Sequence, residues 1–341
     1  MKYYNAGFEI TLKPDATPVT QADREAERTI VASLGRAFPD YGVLGEEFGG
    51  SGSVATRWII DPIDGTKNFV RRIPIWATLI ALEEHGEITV GVIHNPVTGE
   101  LYTARRGGGA FLNGERIRIS EEGDLSQAYL LHAGLRGART TRYWDGFMRL
   151  VDATDRQRGF GDYIGYGLIA EGKADVYAEI YPEGSGLKPW DLAPCKILVE
   201  EAGGRFTDLE GRPTIYASSA LATNGRLHDA ALALLRPWHS RSIPGRWAMC
   251  FWRFRRSALS VSNDRATRSS SRLSRGSADC SRSSVSSIDR STSSGWGSTR
   301  CSPPRPPARS VNGQLDARKI CDAPRAWSRG SARESRASCE G

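Results

Sequence analysis

The chain is predicted to fold as a mixed α/β protein, and three features carry that prediction. Residues 58–64, Trp-Ile-Ile-Asp-Pro-Ile-Asp, form an apolar run that stops at two aspartates and is followed at once by Gly65-Thr66. Residues 76–105 hold successive strand-like segments joined by tight turns. From residue 161 onward, helical and strand-like periodicities alternate, as expected where helices cover a sheet.

The first regular element is a helix from 20 to about 37. Ala22, Ala26, Ile30 and Leu34 recur at helical spacing, and Asp23, Glu25 and Glu27 sit early in the segment, where the helix dipole favours acids. A short strand is expected at 57–61. Residues 76–84 and 87–94 form a hairpin turned at His85-Gly86, 100–105 continues the sheet, and Asn113-Gly114 marks another turn. After a long connection, 161–171 reads as a helix ending near Gly172, and 175–180 as a strand. A helix at 190–202 follows, with Asp191 near its start, Pro194 in its first turn and Gly203-Gly204 closing it. Strands at 205–207 and near 218–223, then a helix at about 226–236, complete the ordered body. No internal repeat is visible.

Composition divides the 341 residues in two. The chain's net charge of +7 resolves into −6 over 1–237 and +13 over 238–341. The second segment holds five of the six cysteines, is about one quarter serine, and its basic residues are arginine except for Lys319. Lacking apolar periodicity, it is expected to be disordered. Cys195 is the one thiol of the body, too few for a disulfide framework, so a reducing cytoplasmic setting is expected. No apolar run is long enough to span a bilayer, and no membrane association is expected.

The chemistry concentrates in acids: Glu46-Glu47 after Gly45, Asp61, Asp64, and Asp191 after Trp190. Aspartates alternating about a strand end can converge on one hard cation together with the Ile63 carbonyl, and Mg²⁺ suits such an all-oxygen set. Cys/His spacing for zinc is absent. Each acid also has an ordinary structural reading: surface charge for Glu46 and Glu47, a helix cap for Asp191, a turn for Asp61 and Asp64.

Gly-Glu-Glu at 45–47, Trp-Ile-Ile-Asp-Pro-Ile-Asp-Gly-Thr at 58–66, and Trp-Asp at 190–191 with Glu-Ala-Gly-Gly at 201–204 together resemble the signatures of the inositol monophosphatase superfamily. The resemblance covers roughly 2–237. It implies a layered αβαβα sandwich, with an N-terminal α+β half over about 1–125 and a C-terminal α/β half over about 126–237. It also implies a magnesium-dependent phosphomonoester hydrolase and a homodimer. Carried over residue by residue, it makes Glu46, Asp61, the Ile63 carbonyl, Asp64 and Asp191 the Mg²⁺ ligands. Asp23 and Thr66, with Glu46, become the groups that activate water, and Gly65 and Thr66 grip the phosphate. Without the resemblance, Asp23 is simply an acid in a first turn and Thr66 an N-cap.

Lys67-Asn68-Phe69-Val70-Arg71-Arg72 after Gly-Thr, Gly161-Asp162-Tyr163, and Trp-Asp-Leu-Ala-Pro at 190–194 resemble the histidinol-phosphatase branch, which serves histidine biosynthesis. Asp162 and Glu179, with Asp191, are expected to line the substrate pocket, where carboxylates would pair with a cationic amine. Asp162 as a helix cap and Glu179 as an exposed strand end are the alternatives. An inositol-phosphate or other sugar or nucleotide phosphatase is the rival activity, and a catalytically inactive binding relative is the rival class. Family members usually begin with a further long helix, expected to be missing here, so a true start upstream or a truncation is expected. The segment 238–341 has no counterpart in the family. Shifted-frame translation is the preferred expectation for it, and a nucleic-acid-binding arm the alternative.

Overall fold

A computed structural model of the protein describes residues 1–6, 10–12 and 18–237. The segment 238–341, with the expectations placed on it, lies outside the described residues.

The described chain opens with α1 (Lys2–Ala6), the antiparallel pair β1 (Ile10–Leu12) and β2 (Pro18–Thr20), and α2 (Gln21–Ala37). The first half continues through β3 (Gly42–Gly45), β4 (Gly49–Ser51), β5 (Thr56–Asp64), α3 (Thr66–Val70), β6 (Ala77–Glu84), β7 (Glu87–Asn95), β8 (Glu100–Arg105), β9 (Gly109–Leu112) and β10 (Glu115–Ile117). These strands form one sheet in the order β10-β9-β8-β7-β6-β5-β3-β4, in which β3 and β5 run parallel. The second half contains β11 (Tyr129–Ala133), α4 (Leu135–Ala138), α5 (Trp144–Ala153), β12 (Arg156–Arg158), α6 (Tyr163–Ala170), β13 (Val176–Glu179), α7 (Pro189–Glu201), β14 (Arg205–Thr207), β15 (Ala220–Thr223) and α8 (His228–Leu235). Its five-stranded sheet has the order β12-β11-β13-β15-β14.

Period-two burial explains the layers. On β5 and β6, Trp58, Ile60, Ile80 and Leu82 face one way and pack with Leu34, Ile30 and Val31 of α2. Ile59, Leu79 and Ala81 face the other way and join Tyr163, Tyr166, Cys195 and Leu198 of α6 and α7. Those helices are covered from beyond by Tyr177, Ala220 and Ala222 of the second sheet. Val176, Ala178 and Leu221 on its far face meet Phe147 and Leu150 of α5 and Leu232 of α8. The result is the expected α/β/α/β/α sandwich. Lying between two sheets, α7 buries every residue from Leu192 to Val199, which is why it shows no polar stripe.

The sequence placed the boundaries imperfectly. The strand expected to stop at Asp61 runs to Asp64, with its register against β6 shifting between those residues. Pro62 offers no N–H, the Ile63 N–H turns onto Asp61 Oδ1 at 2.9 Å, and the Thr78 hydroxyl donates to the Pro62 carbonyl at 2.9 Å. The helix expected from 190 begins at Pro189, so Pro194 stands in its interior and not in its first turn. The long connection before 161 contains β11, α4, α5 and β12.

Helix α7 approaches the first sheet closely at Gly91 of β7. A Cβ there would lie 2.5 Å from Ile197 Cγ2 and 3.0 Å from the Pro194 carbonyl oxygen. Gly91→Val is therefore expected to destabilise the fold by roughly 1–3 kcal/mol through overpacking. Urea unfolding measures this, and an unchanged midpoint would contradict the close approach.

Candidate active site

The site forms where β5 ends, α2 begins and α7 begins. Asp61 and Asp64 are buried at the end of β5, 2% and 7% exposed. Asp191 belongs to the first turn of α7, and its Oδ2 accepts the Lys188 N–H at 2.7 Å, the acidic half of a capping box. One oxygen of Asp191 thus caps the helix while the side chain also joins the cluster. Carboxylate oxygens of Asp61, Asp64 and Asp191 all lie within 4.8 Å of one another. Glu46 follows β3, where its N–H donates to the Ile60 carbonyl at 3.2 Å, and its carboxylate bears on both Asp61 and Asp191.

Electrostatics test whether these residues suit a cation. Burial, then the nearby charges of Glu46, Asp64 and Asp191, push the Asp61 carboxyl well above the usual carboxylate range. Burial, then Asp162 and Asp191, do the same to Asp64. Asp191 rises to about 7, chiefly through burial. Carboxylates driven together without a positive side chain among them form an all-oxygen donor set of the kind that fits a hard divalent ion.

Thr66 opens α3, and the cap residue is Gly65, at φ 80°, in place of the threonine expected as a possible N-cap. The Thr66 hydroxyl lies 3.1 Å from the Ile63 carbonyl oxygen and 3.5 Å from Asp23 Oδ1. Asp23 is 1% exposed, so its place in the first turn of α2 serves this contact and not a solvated helix end. The structure therefore gathers Asp23, Glu46, Asp61, Ile63, Asp64, Gly65, Thr66 and Asp191 around one turn.

The two acids expected in the substrate pocket part company. Asp162 makes no cap to its helix; its Oδ2 instead accepts from Asn68 Nδ2 at 3.0 Å and stands close over Gly65. Burial raises its carboxyl, opposed by Lys67 and by the Asn68 hydrogen bond. Glu179 is not an exposed strand end: it is 1% exposed and accepts from the hydroxyls of Tyr166 at 2.9 Å and Tyr181 at 3.3 Å. Enclosed there, it titrates near 8, mainly through burial.

Sequence reasoning did not assign roles to Asn68 or to the Tyr163 backbone. Asn68 also donates to the Ile75 carbonyl at 2.9 Å, and the Tyr163 N–H donates to Asp64 Oδ2 at 2.8 Å. Asn68 stood inside the quoted motif; the Tyr163 amide left no signal, because a backbone donor carries no residue identity.

A sequence model of the inositol monophosphatase family matches residues 1–239. The histidinol-phosphatase of Mycobacterium tuberculosis is 47% identical over 234 residues, spanning 67% of this chain and 88% of that protein. The histidinol-phosphatase of Streptomyces coelicolor is 44% identical over 237 residues, 67% of this chain and 87% of that one. Among solved structures, the extragenic suppressor protein SuhB of Bartonella henselae superposes with a TM-score of 0.63 at 33% identity, covering 71% of this chain and 93% of that one.

The repulsion within the cluster has a measurable sign. Without divalent cations, the folded protein keeps protons on Asp61, Asp64 and Asp191 at pH values where the unfolded chain, with carboxyls near 4, has released them. The folded state binds more protons, so stability falls as pH rises from about 4 through about 7. In EDTA, Tm is expected to decrease between about pH 5 and about pH 8, and Asp61→Asn should flatten the trend. A wild-type Tm that rises across that window would contradict the clustering.

Proposed function

The chain belongs to the inositol monophosphatase family, a family of phosphoric monoester hydrolases, and from that premise we propose that it hydrolyses histidinol phosphate with Mg²⁺ as its cofactor. The observation that carries the metal-dependent chemistry is the convergence of three carboxylates within 4.8 Å beside the Thr66–Asp23 pair. Asp61, Asp64, Asp191, Glu46 and the Ile63 carbonyl would hold Mg²⁺. Bound there, it supplies charge to polarise the phosphoryl group and to acidify water.

The remaining tasks fall to the chain itself. Thr66, backed by buried Asp23 at 3.5 Å, orients the attacking water and accepts its proton toward the carboxylate. The Gly65 and Thr66 N–H groups stand at the start of α3, where first-turn amides have no intrahelical acceptor, and they hold phosphate oxygens. In-line attack breaks the ester P–O bond and frees histidinol and inorganic phosphate.

Substrate choice rests on Asp162. Its carboxylate, fixed by Asn68 beside Gly65, lies within reach of the alcohol portion of a phosphomonoester, and a cationic amine there would form a charge-assisted hydrogen bond. A neutral polyol gains less from it. The two histidinol-phosphatase relatives support this reading, whereas the fold shared with the Bartonella SuhB protein does not select a substrate. Glu179 takes a supporting part, orienting the Tyr166 and Tyr181 hydroxyls.

Two measurements test the proposal. Asp64→Asn is expected to lower kcat by a factor of about 10² or more with its circular dichroism unchanged, since it removes a ligand and a chemical participant. Near-wild-type phosphate release by that variant in excess Mg²⁺ would sink the assignment. On a panel of phosphomonoesters, kcat/KM should favour histidinol phosphate over inositol 1-phosphate, and Asp162→Ser should reduce the former about 10-fold or more while sparing the latter. A preference for inositol 1-phosphate would transfer the protein to that activity.

A further inference from the structure

Glu27 is a buried carboxylate that none of the chemistry above uses. It lies one helical turn beyond Asp23 on α2 and is 0% exposed. Its two oxygens accept different backbone donors: the Glu47 N–H at 2.8 Å on Oε2 and the Phe48 N–H at 3.1 Å on Oε1. Both donors belong to the turn that leaves β3 and carries Glu46. The same carboxylate fills the space a side chain would need at Gly45, where a Cβ would overlap Glu27 Oε1. Gly45 is thus demanded by the close approach of Glu27, which accounts for the first letter of Gly-Glu-Glu.

The turn joins the antiparallel pair β3 and β4, and its Glu46 N–H also donates to the Ile60 carbonyl at 3.2 Å. On its outer side runs a groove of about 410 Å³, lined by Glu27, Val31, Val43, Phe48 and Ser51, and Phe48 is 52% exposed. Arg28 covers the Phe48 ring at 5.0 Å, a surface contact. Within this turn, the two bonds to Glu27 are what tie the Glu47 and Phe48 amides to α2.

We infer that Glu27 is a positioning residue for the cation site: by fixing the Glu47 and Phe48 amides it sets where the Glu46 carboxylate stands relative to Asp61 and Asp191. Helix α2 then acts as a ruler with two marks on successive turns, Asp23 against Thr66 and Glu27 beneath the Glu46 turn. A carboxylate can accept both amides; a carboxamide of the same size accepts one and turns its NH₂ toward the other. The inference rests on the reading of Glu46 as a cation ligand and deepens it.

The test is calorimetric titration of Mn²⁺ into the full chain without substrate, beside the Mg²⁺ dependence of phosphate release. Glu27→Gln should bind Mn²⁺ about 10-fold more weakly or worse, the effect typical of losing a group that orients a ligand. Its Mg²⁺ activation midpoint should rise by a similar factor, with a smaller loss of kcat at saturating Mg²⁺. Glu83→Gln is the control: Glu83 is another buried carboxylate, paired with Arg57 at 2.7 Å, and its loss should lower Tm without moving Mn²⁺ affinity. A folded Glu27→Gln with wild-type Mn²⁺ affinity overturns the inference. Should that variant not fold, Gly45→Ala decides, because its Cβ displaces the Glu27 carboxylate from the other side; weakened Mn²⁺ binding supports the inference and unchanged binding overturns it. A wild-type chain that binds Mn²⁺ yet hydrolyses no phosphomonoester defeats the proposed activity while leaving the Glu27 comparison intact, and one that binds no Mn²⁺ overturns both.

Discussion

The rest of the structure depends on holding like charges together where water is scarce. Asp61, Asp64 and Asp191 place oxygens within 4.8 Å of one another, with Glu46 bearing on two of them. Left to itself, such a group would spread apart or take up protons. It stays together because two rigid elements, β5 for Asp61 and Asp64 and α7 for Asp191, fix the three aspartates, and each accepts a backbone donor. Asp61 accepts the Ile63 amide, Asp64 the Tyr163 amide and Asp191 the Lys188 amide. Those three backbone donors offset part of the repulsion and leave the remaining lone pairs directed at one another, the arrangement a hard cation completes.

The layering follows from the same need. Asp191 can meet β5 only if α7 lies flat against the first sheet, and Gly91 permits that approach to β7. The helix must then be apolar on the side facing the second sheet as well, since Tyr177, Ala220 and Ala222 cover it. On the opposite face of the first sheet, α2 packs Leu34 against Trp58 and Ile60 while its first turns carry Asp23 and Glu27 inward. Two helices from opposite layers thus converge on the end of a single strand. Asp23, Asp61, Asp64 and Asp191 are held precisely because they belong to packed elements and not to free loops.

What was legible in the sequence, and what was not, has a physical pattern. β6, β7 and β8 showed themselves because alternate residues face different cores and type I′ residues, such as His85-Gly86 at φ 53° and 83°, punctuate them. β3 and β4 are short and glycine-rich, and β12 is Arg-Gln-Arg on a sheet edge, so none carries an apolar period. β11 is five residues long, and its pairing with β12 and β13 is what makes it a strand. At the site, the acids that cluster were readable because carboxylates beside a strand end are chemically unusual. The burial of Glu179 was not legible, because burial and tyrosine contacts arise from tertiary packing, which a lone acid at the end of a strand-like run does not announce.

Substrate discrimination must come from a feature that the common fold does not provide, and Asp162 has the marks of one. Its backbone sits at φ 62° and ψ −162°, a region essentially reserved for glycine, at a cost on the order of 1–3 kcal/mol. Such a conformation persists only if its surroundings over-determine it. Here the next amide, Tyr163 N–H, is held by Asp64, and the Asp162 side chain is held by Asn68, itself tied to the Ile75 carbonyl. The strain is therefore locked from one side by Asp64 of the carboxylate cluster and from the other by Asn68 of α3. A glycine at 162 would relieve the strain but remove the carboxylate. The geometry keeps the charged group beside Gly65 at that cost; under the proposed activity, a substrate with a cationic amine would use it.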